Sequence, residues 1–194
     1  MAASDGTLEH LTEALRGRYA FEGEVARGGM ASIYRARDLR GERPVAIKVM
    51  RSDLAAALGA ARFTREIEIA RSLTHPLIVP LEESGDVDGT LFYVMPFVDG
   101  ESLFERLERD RRLPVDEAIR VTRDVANALG YAHRRGILHR DVKPENILLA
   151  GGRALVADFG LARAIGAADS RRLTATGVIV GSAYYLSPEQ LRED

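Results

Sequence analysis

The run HRDVKPENILL, residues 139–149, sets two acids, three basic-type side chains and an amide directly against an apolar stretch. His139, Arg140, Asp141, Lys143 and Asn146 are residue types that move protons, offset charge or offer oxygen to a cation. Ile147, Leu148 and Leu149 are types that bury. A surface loop accounts for the charges alone, and a core strand for the apolar run alone. A loop of polar groups held at the mouth of a buried scaffold accounts for both. Farther on, Asp158 ends the apolar strand ALVA and begins Asp-Phe-Gly. Asp158 and Asn146 are hard oxygen donors on neighbouring segments. Mg²⁺ prefers such donors and completes its shell with water and phosphate oxygens.

Two upstream pieces carry related chemistry. In VAIK, an apolar strand from Val45 to Val49 holds a single cation, Lys48. A lone strand lysine normally faces solvent. However, Glu66 adjoins Ile67 and lies one turn from Phe63 and Ala70, so it flanks the buried stripe of a helix. A carboxylate there needs a cation or water. Lys48 is one candidate partner, and Arg62, at i−4, is the other. The segment VARGGMASIYRA, residues 25–36, reads as strand, glycine-bearing bend, strand. Its backbone N–H groups could cover phosphate oxygens, or it could be a plain hairpin.

The elements that must position these groups follow from patterning. A short helix with Leu8, Leu11 and Leu15 on one side runs to about Gly17. Strands are expected at Tyr19 to Arg27, Ala31 to Leu39 and Pro44 to Met50, separated by turn chemistry. One helix, ARFTREIEIARSL, interrupts, with Phe63, Ile67, Ala70 and Leu73 at helical spacing. Strands Val79 to Glu83 and Leu91 to Met95 follow, joined by SGDVDG as the turn. Beyond Gly100 the character turns helical. The helix PVDEAIRVTRDVANALGYAHRRG has the stripe Ala118, Val121 or Thr122, Val125, Leu129 and Ala132, acids in its first turn and Gly136 as its stop. A hairpin, NILLAGGRALVADFG, turns at AGGR.

Composition narrows the classes. The chain has 194 residues, enough for one large domain or two lobes, and a net charge of −2. That balance gives no broad electrostatic argument for nucleic acid or an anionic membrane as a partner, and none is expected. Cysteine is absent, which excludes disulfides and thiolate metal sites and fits a reducing compartment. No signal pattern or membrane-length apolar run is present. His75, His133 and His139 lack the HExxH spacing of a hydrolytic metal site, and no Walker A loop occurs.

The ordered set of glycine-bearing hairpin, VAIK, helix with an inward Glu, HRD-x-K-x-x-N, DFG and then SPE at 187–189 resembles the protein-kinase superfamily. Within it, the chain resembles the bacterial eukaryotic-type (Hanks-type) serine/threonine kinases, from about Tyr19 onward. The resemblance implies an α+β, two-lobe kinase fold: a complete antiparallel-sheet N-lobe and a partial helical C-lobe. The expected domains are an N-terminal helical extension (1–18), the N-lobe (19–95), a hinge (96–100) and a C-lobe (101–194) ending after the activation segment.

It also implies roles. Lys48, held by Glu66, grips ATP phosphates. Asp141 orients the substrate hydroxyl and accepts its proton. Lys143, the serine/threonine pattern, offsets charge on the transferring group, and Asn146 and Asp158 hold Mg²⁺. Ala26, Gly28 and Gly29 cover the phosphates. Met95 is the gatekeeper, the backbone of Pro96 and Val98 bonds adenine, and Ile33, Ala46 and Leu148 sandwich the ring. Ala70, Leu81, His139 and Phe159 resemble the family's stacked apolar column. Arg140 implies control by activation-loop phosphorylation, with Thr174 and Thr176 as phosphosites; ordinary loop threonines are the other reading. The implied activity is ATP- and Mg²⁺-dependent phosphoryl transfer to Ser/Thr of protein substrates, in the cytoplasm, with self-association for autophosphorylation open to it. The alternative is a non-catalytic, pseudokinase-like nucleotide-binding or interaction module. Two departures bear on that choice. The spaced glycines of the family read Ala26, Gly28 and Ala31, and the sequence stops at SPEQLRED, so the family's later helices are expected to be missing and the helix at 115–135 to have a bare underside.

Overall fold

A computed structural model describes residues 5–159, 185 and 187–192. They fall into two compact units: Met1–Ser72 with Pro80–Val98, and Leu73–Val79 with Asp99–Asp194.

The first unit is built on one antiparallel sheet, β1 (Tyr19–Arg27), β2 (Ala31–Asp38), β3 (Arg43–Met50), β4 (Glu83–Val87) and β5 (Thr90–Pro96), in the order β1-β2-β3-β5-β4. Strand alternation gives it two faces. Tyr34, Ala36, Val45, Ile47, Val49, Phe92 and Val94 form a buried cluster on one face. Helix α1 (Asp5–Leu15) lays Leu11 into that cluster, fully buried, with Leu8 and Leu15 packed beside it. The ring of Tyr19 is also in the cluster, and its hydroxyl donates to Glu83 Oε2 at 2.9 Å. Burial and the neighbouring carboxylate push that phenol well above its usual range. Arg18 completes the group by pairing with Glu83.

Two helices precede β4: α2 (Ser52–Leu58), which sequence patterning did not separate out, and α3 (Ala60–Arg71). Gly59, at φ 75°, ends the first and begins the second. Helix α3 buries Phe63, Glu66, Ile67 and Ala70.

The strand expected at Val79 to Glu83 instead begins at Glu83 and runs to Val87. Most of SGDVDG is therefore strand, and the turn is Asp88–Gly89, both at positive φ, as a two-residue hairpin requires. Gly85 is not turn chemistry at all. It pairs with Phe92 across the sheet, and a Cβ there would lie 2.6 Å from the Phe92 ring.

The second unit holds β6 (Glu101–Ser102), α4 (Leu103–Asp110), α5 (Val115–His133), a 3-10 turn (Pro144–Asn146), β7 (Ile147–Ala150), β8 (Arg153–Val156) and α6 (Pro188–Arg192). Ser102 and Glu105 form a reciprocal cap on α4. The hairpin turn between β7 and β8 is Gly151–Gly152, both at positive φ.

Helix α5 buries Asp124, Ala128 and Ala132, with Val121 and Val125 against the Leu103–Ile147–Ala154 cluster. Thr122 stays exposed, so Val121 is the core residue of that turn. Val115 and Ile119, on the other side of α5, are 74% and 59% exposed. The loop Leu73–Val79 belongs to this unit because Val79 N donates to Val156 O at 2.9 Å, Val156 N donates to Leu77 O at 2.8 Å, and the ring of His75 packs on Tyr131.

Replacing Leu11 with Ala is expected to destabilise the first unit by about 2–5 kcal/mol, because it empties a closed site against the sheet. Chemical denaturation followed by near-ultraviolet circular dichroism measures this; a loss under about 1 kcal/mol means that α1 is a detachable arm.

Candidate functional site

In the second unit the polar residues of the 139–146 loop converge. Lys143 Nζ lies 2.8 Å from Asp141 Oδ2. Asn146 Nδ2 donates to Asp141 Oδ2 at 2.9 Å and to the Asp141 carbonyl at 2.8 Å. Both side-chain contacts fall on Oδ2, so Oδ1 is the oxygen with accepting capacity left. The 3-10 turn sets this up: Pro144 supplies a fixed φ at its start, and Asn146 N closes it by donating to Lys143 O at 3.0 Å.

Asn146 is then tied to the end of β8, where Ala157 N donates to Asn146 O at 2.9 Å. Asp158 follows at φ 64°, in the left-handed region that Asp tolerates better than most residues. Because the Asn146 NH₂ is spent on Asp141, its Oδ1 remains as an oxygen donor. Asn146 and Asp158 thus offer two hard oxygens from adjoining segments. That set fits Mg²⁺, which takes one or two protein oxygens and leaves its other positions to phosphate and water. Among the described residues no cluster of three or more His, Cys, Asp or Glu could hold a metal by itself.

His139 sits beneath the loop, 2% exposed. Its Nε2 lies 2.8 Å from the Ala157 carbonyl, and its Nδ1 lies 3.2 Å from Asp141 N. A carbonyl only accepts and an N–H only donates, so the ring is the neutral Nε2–H tautomer. Burial lowers its pKa, which keeps it neutral. The buried Phe159 ring meets it edge-on at 4.6 Å.

The first unit carries the other expected residues on the sheet face opposite α1. Cross-strand partners share a face, and the register pairs Ala26 with Ile33, Ile33 with Lys48, Lys48 with Tyr93, and Ala46 with Met95. Ala26, Ile33, Ala46, Lys48 and Met95 therefore form one surface. Glu66 is buried on α3, 6% exposed. Tyr93 joins the two elements: Lys48 Nζ is 5.8 Å from its ring centre and the Phe63 ring 6.5 Å. Pro96 has no N–H and offers only its carbonyl, and Val98 closes the unit. Leu148, half-buried on β7, belongs to the second unit, as does exposed Arg140. Thr174, Thr176 and Gly160 lie outside the described residues.

The glycine bend spans Gly28–Met30, with Gly28 N donating to Ala31 O at 2.9 Å. Neither Ala26 nor Ala31 has positive φ, so alanine at these positions costs no backbone strain. Sequence reasoning missed what holds the bend. Arg51 Nη1 donates to Gly29 O at 3.1 Å and Arg51 N to Met30 O at 3.0 Å. Asp53 fixes the guanidinium through two bonds of 3.2 and 3.1 Å. The signal was an Arg-x-Asp at the end of the lysine strand. Asp124 was also missed. It is 4% exposed on α5 and accepts from Ala154 N at 3.2 Å and Arg153 Nε at 3.1 Å. Its position, three residues after Val121 and four before Ala128, places it on the core face.

Residues 19–194 match the protein kinase domain family. The chain belongs to that family. This protein kinase domain is 44% identical over 194 residues to the serine/threonine-protein kinase PknB of Mycobacterium leprae, covering 97% of the chain and 30% of that protein. It is 44% identical over 185 residues to the probable serine/threonine-protein kinase SCO3848 of Streptomyces coelicolor, covering 92% of the chain and 27% of the relative. The chain thus spans under a third of the length of these curated relatives. Among solved structures, the kinase domain of Mycobacterium tuberculosis PknI superposes with a TM-score of 0.66 at 38% identity, over 74% of this chain and 60% of that one. The five-stranded antiparallel sheet with its helices, followed by a partial helical lobe, is the kinase fold.

Arg51→Ala is expected to weaken Mg-ATP binding about fivefold, the worth of one net hydrogen bond to the bend. Nucleotide titration by calorimetry checks it; unchanged affinity means that the bend is held without Arg51.

Proposed function

We propose that this chain transfers the γ-phosphoryl group of ATP to serine and threonine hydroxyls of proteins. The observation that carries the reading is the Lys143–Asp141–Asn146 cluster, in which a carboxylate is steadied on one oxygen and left able to accept on the other.

In this mechanism Asp141 receives the substrate hydroxyl on Oδ1 and takes its proton as the oxygen attacks phosphorus. Lys143, within 2.8 Å of Asp141, offsets the negative charge on the transferring phosphoryl group. Lys48, steadied by buried Glu66, grips the α- and β-phosphates, and the backbone of Ala26, Gly28 and Gly29 covers them. Asn146 and Asp158 hold Mg²⁺, which screens phosphate charge when bound. Ile33, Ala46 and Leu148 pack on adenine, Met95 limits its pocket, and the Pro96 carbonyl and Val98 backbone bond its edge. The chain supplies positioning and electrostatics, and the nucleotide supplies the reactive bond.

Phosphorylation of Thr174 or Thr176, paired with Arg140, regulates the site in this reading, and self-association allows one copy to modify another. No helix among the described residues is long and apolar enough to cross a membrane. The absence of cysteine fits a cytoplasmic setting. A non-catalytic module has no observation in its favour, since Ala26 and Ala31 adopt unstrained backbone.

Asp141→Asn in the intact gene product is expected to lower phosphate transfer to a Ser/Thr protein substrate by at least about 10²-fold, the usual loss for a general base, with Mg-ATP affinity retained. Radiolabel transfer and nucleotide titration measure the two; transfer that survives the substitution rules the mechanism out.

A further inference from the structure

The peptide unit between Arg140 and Asp141 is held at both edges. Its N–H points to His139 Nδ1 at 3.2 Å. Its carbonyl accepts from Gln190 Nε2 at 2.6 Å, although Gln190 lies fifty residues away on α6. The two faces of the Gln190 amide have separate tasks. Oε1 accepts from Ser187 N at 3.1 Å, while Ser187 Oγ accepts from Gln190 N at 3.4 Å. This reciprocal cap fixes which way the amide is turned, so the NH₂ faces Arg140.

Arg140 needs such a hold. Its φ is 65°, a left-handed conformation that a long, non-glycine side chain rarely adopts and that persists only under outside restraint. Rotation of the 140–141 peptide would swing the Cα–Cβ bond of Asp141 away from Lys143 and Asn146. His139 restrains one edge of that plane, and its bond at 3.2 Å is the longer of the two.

We infer that Gln190 is a positioning residue for Asp141: by gripping the Arg140 carbonyl it keeps the 140–141 peptide from turning and so holds the carboxylate in its cluster. The inference rests on the reading of Asp141 as the proton acceptor. It also ties the start of α6 to the catalytic loop through one side chain.

Gln190→Glu and Gln190→Ala separate this role from helix capping. Glutamate keeps an oxygen for Ser187 N but puts a second oxygen where Nε2 donated; alanine loses both. In the intact gene product, kept above pH 7 so that the new carboxylate is ionised, both variants are expected to lower kcat about fivefold to tenfold. KM for Mg-ATP should stay within about twofold, because the nucleotide contacts are elsewhere. Amide hydrogen exchange at Asp141, read by NMR, should quicken by a factor similar to the kcat loss in both. If Gln190→Glu matches wild type in kcat and in Asp141 exchange while only Gln190→Ala falls, Gln190 is a cap and the inference is overturned. If wild type itself transfers no phosphate, the reading of Asp141 fails, and the exchange rate at Asp141 still decides whether Gln190 holds the loop.

Discussion

Asp141 takes Lys143 and Asn146 on a single carboxylate oxygen, and much of the second unit is arranged to keep that contact in place. In the proposed mechanism Asp141 must be held rigidly and still be reached by the substrate hydroxyl. Two donors on one oxygen restrain the carboxylate and leave the other oxygen for a further donor. The donors are in turn fixed by backbone: the 3-10 turn aims Asn146, and the Ala157 N–H ties that turn to β8. Below them His139, neutral because it is buried, spends both ring nitrogens on backbone groups. The hairpin itself is anchored by Asp124, a buried acid whose two partners both lie at the start of β8. Polar groups here act in series from the core outward.

The first unit solves a different problem with the same economy. A single sheet must pack on both faces, α1 covering one and Phe63 of α3 meeting Tyr93 on the other. Residues 45, 47 and 49 of β3 pack toward Leu11 of α1, and residues 46 and 48 are left for the opposite face. The period of two therefore decides that Lys48 and Ala46 share a surface with Ile33 and Met95. A slip of one residue would exchange the two sets, so the core that α1 completes also specifies the orientation of Lys48.

Much of this was legible in the sequence where a residue type has one physical use. Asn and Asp beside apolar strands, Lys within VAIK and the glycine pair of the second hairpin all lie where patterning put them. Legibility failed where a residue had two uses. Gly85 read as turn chemistry because glycine serves turns, but its role is to make room for the Phe92 ring. That displaced β4 by several residues. Short Ser52–Leu58 has too few turns for a clear period, and Gly59 separates it from α3 only by a conformation. The partners of Arg51, Asp124 and Gln190 escaped the sequence for a common reason: each acts on backbone atoms far from it in the chain, so even the local signals at Arg51 and Asp124 do not say what they hold.

The most direct measurement of the central claim is a double-mutant cycle in kcat between Asp141→Asn and Lys143→Met in the intact gene product. Two side chains acting as one unit on the same phosphoryl group predict strong non-additivity, with the double variant about as impaired as the worse single variant. Losses that simply multiply would mean that the 2.8 Å contact has no part in the chemistry, and the account would be wrong.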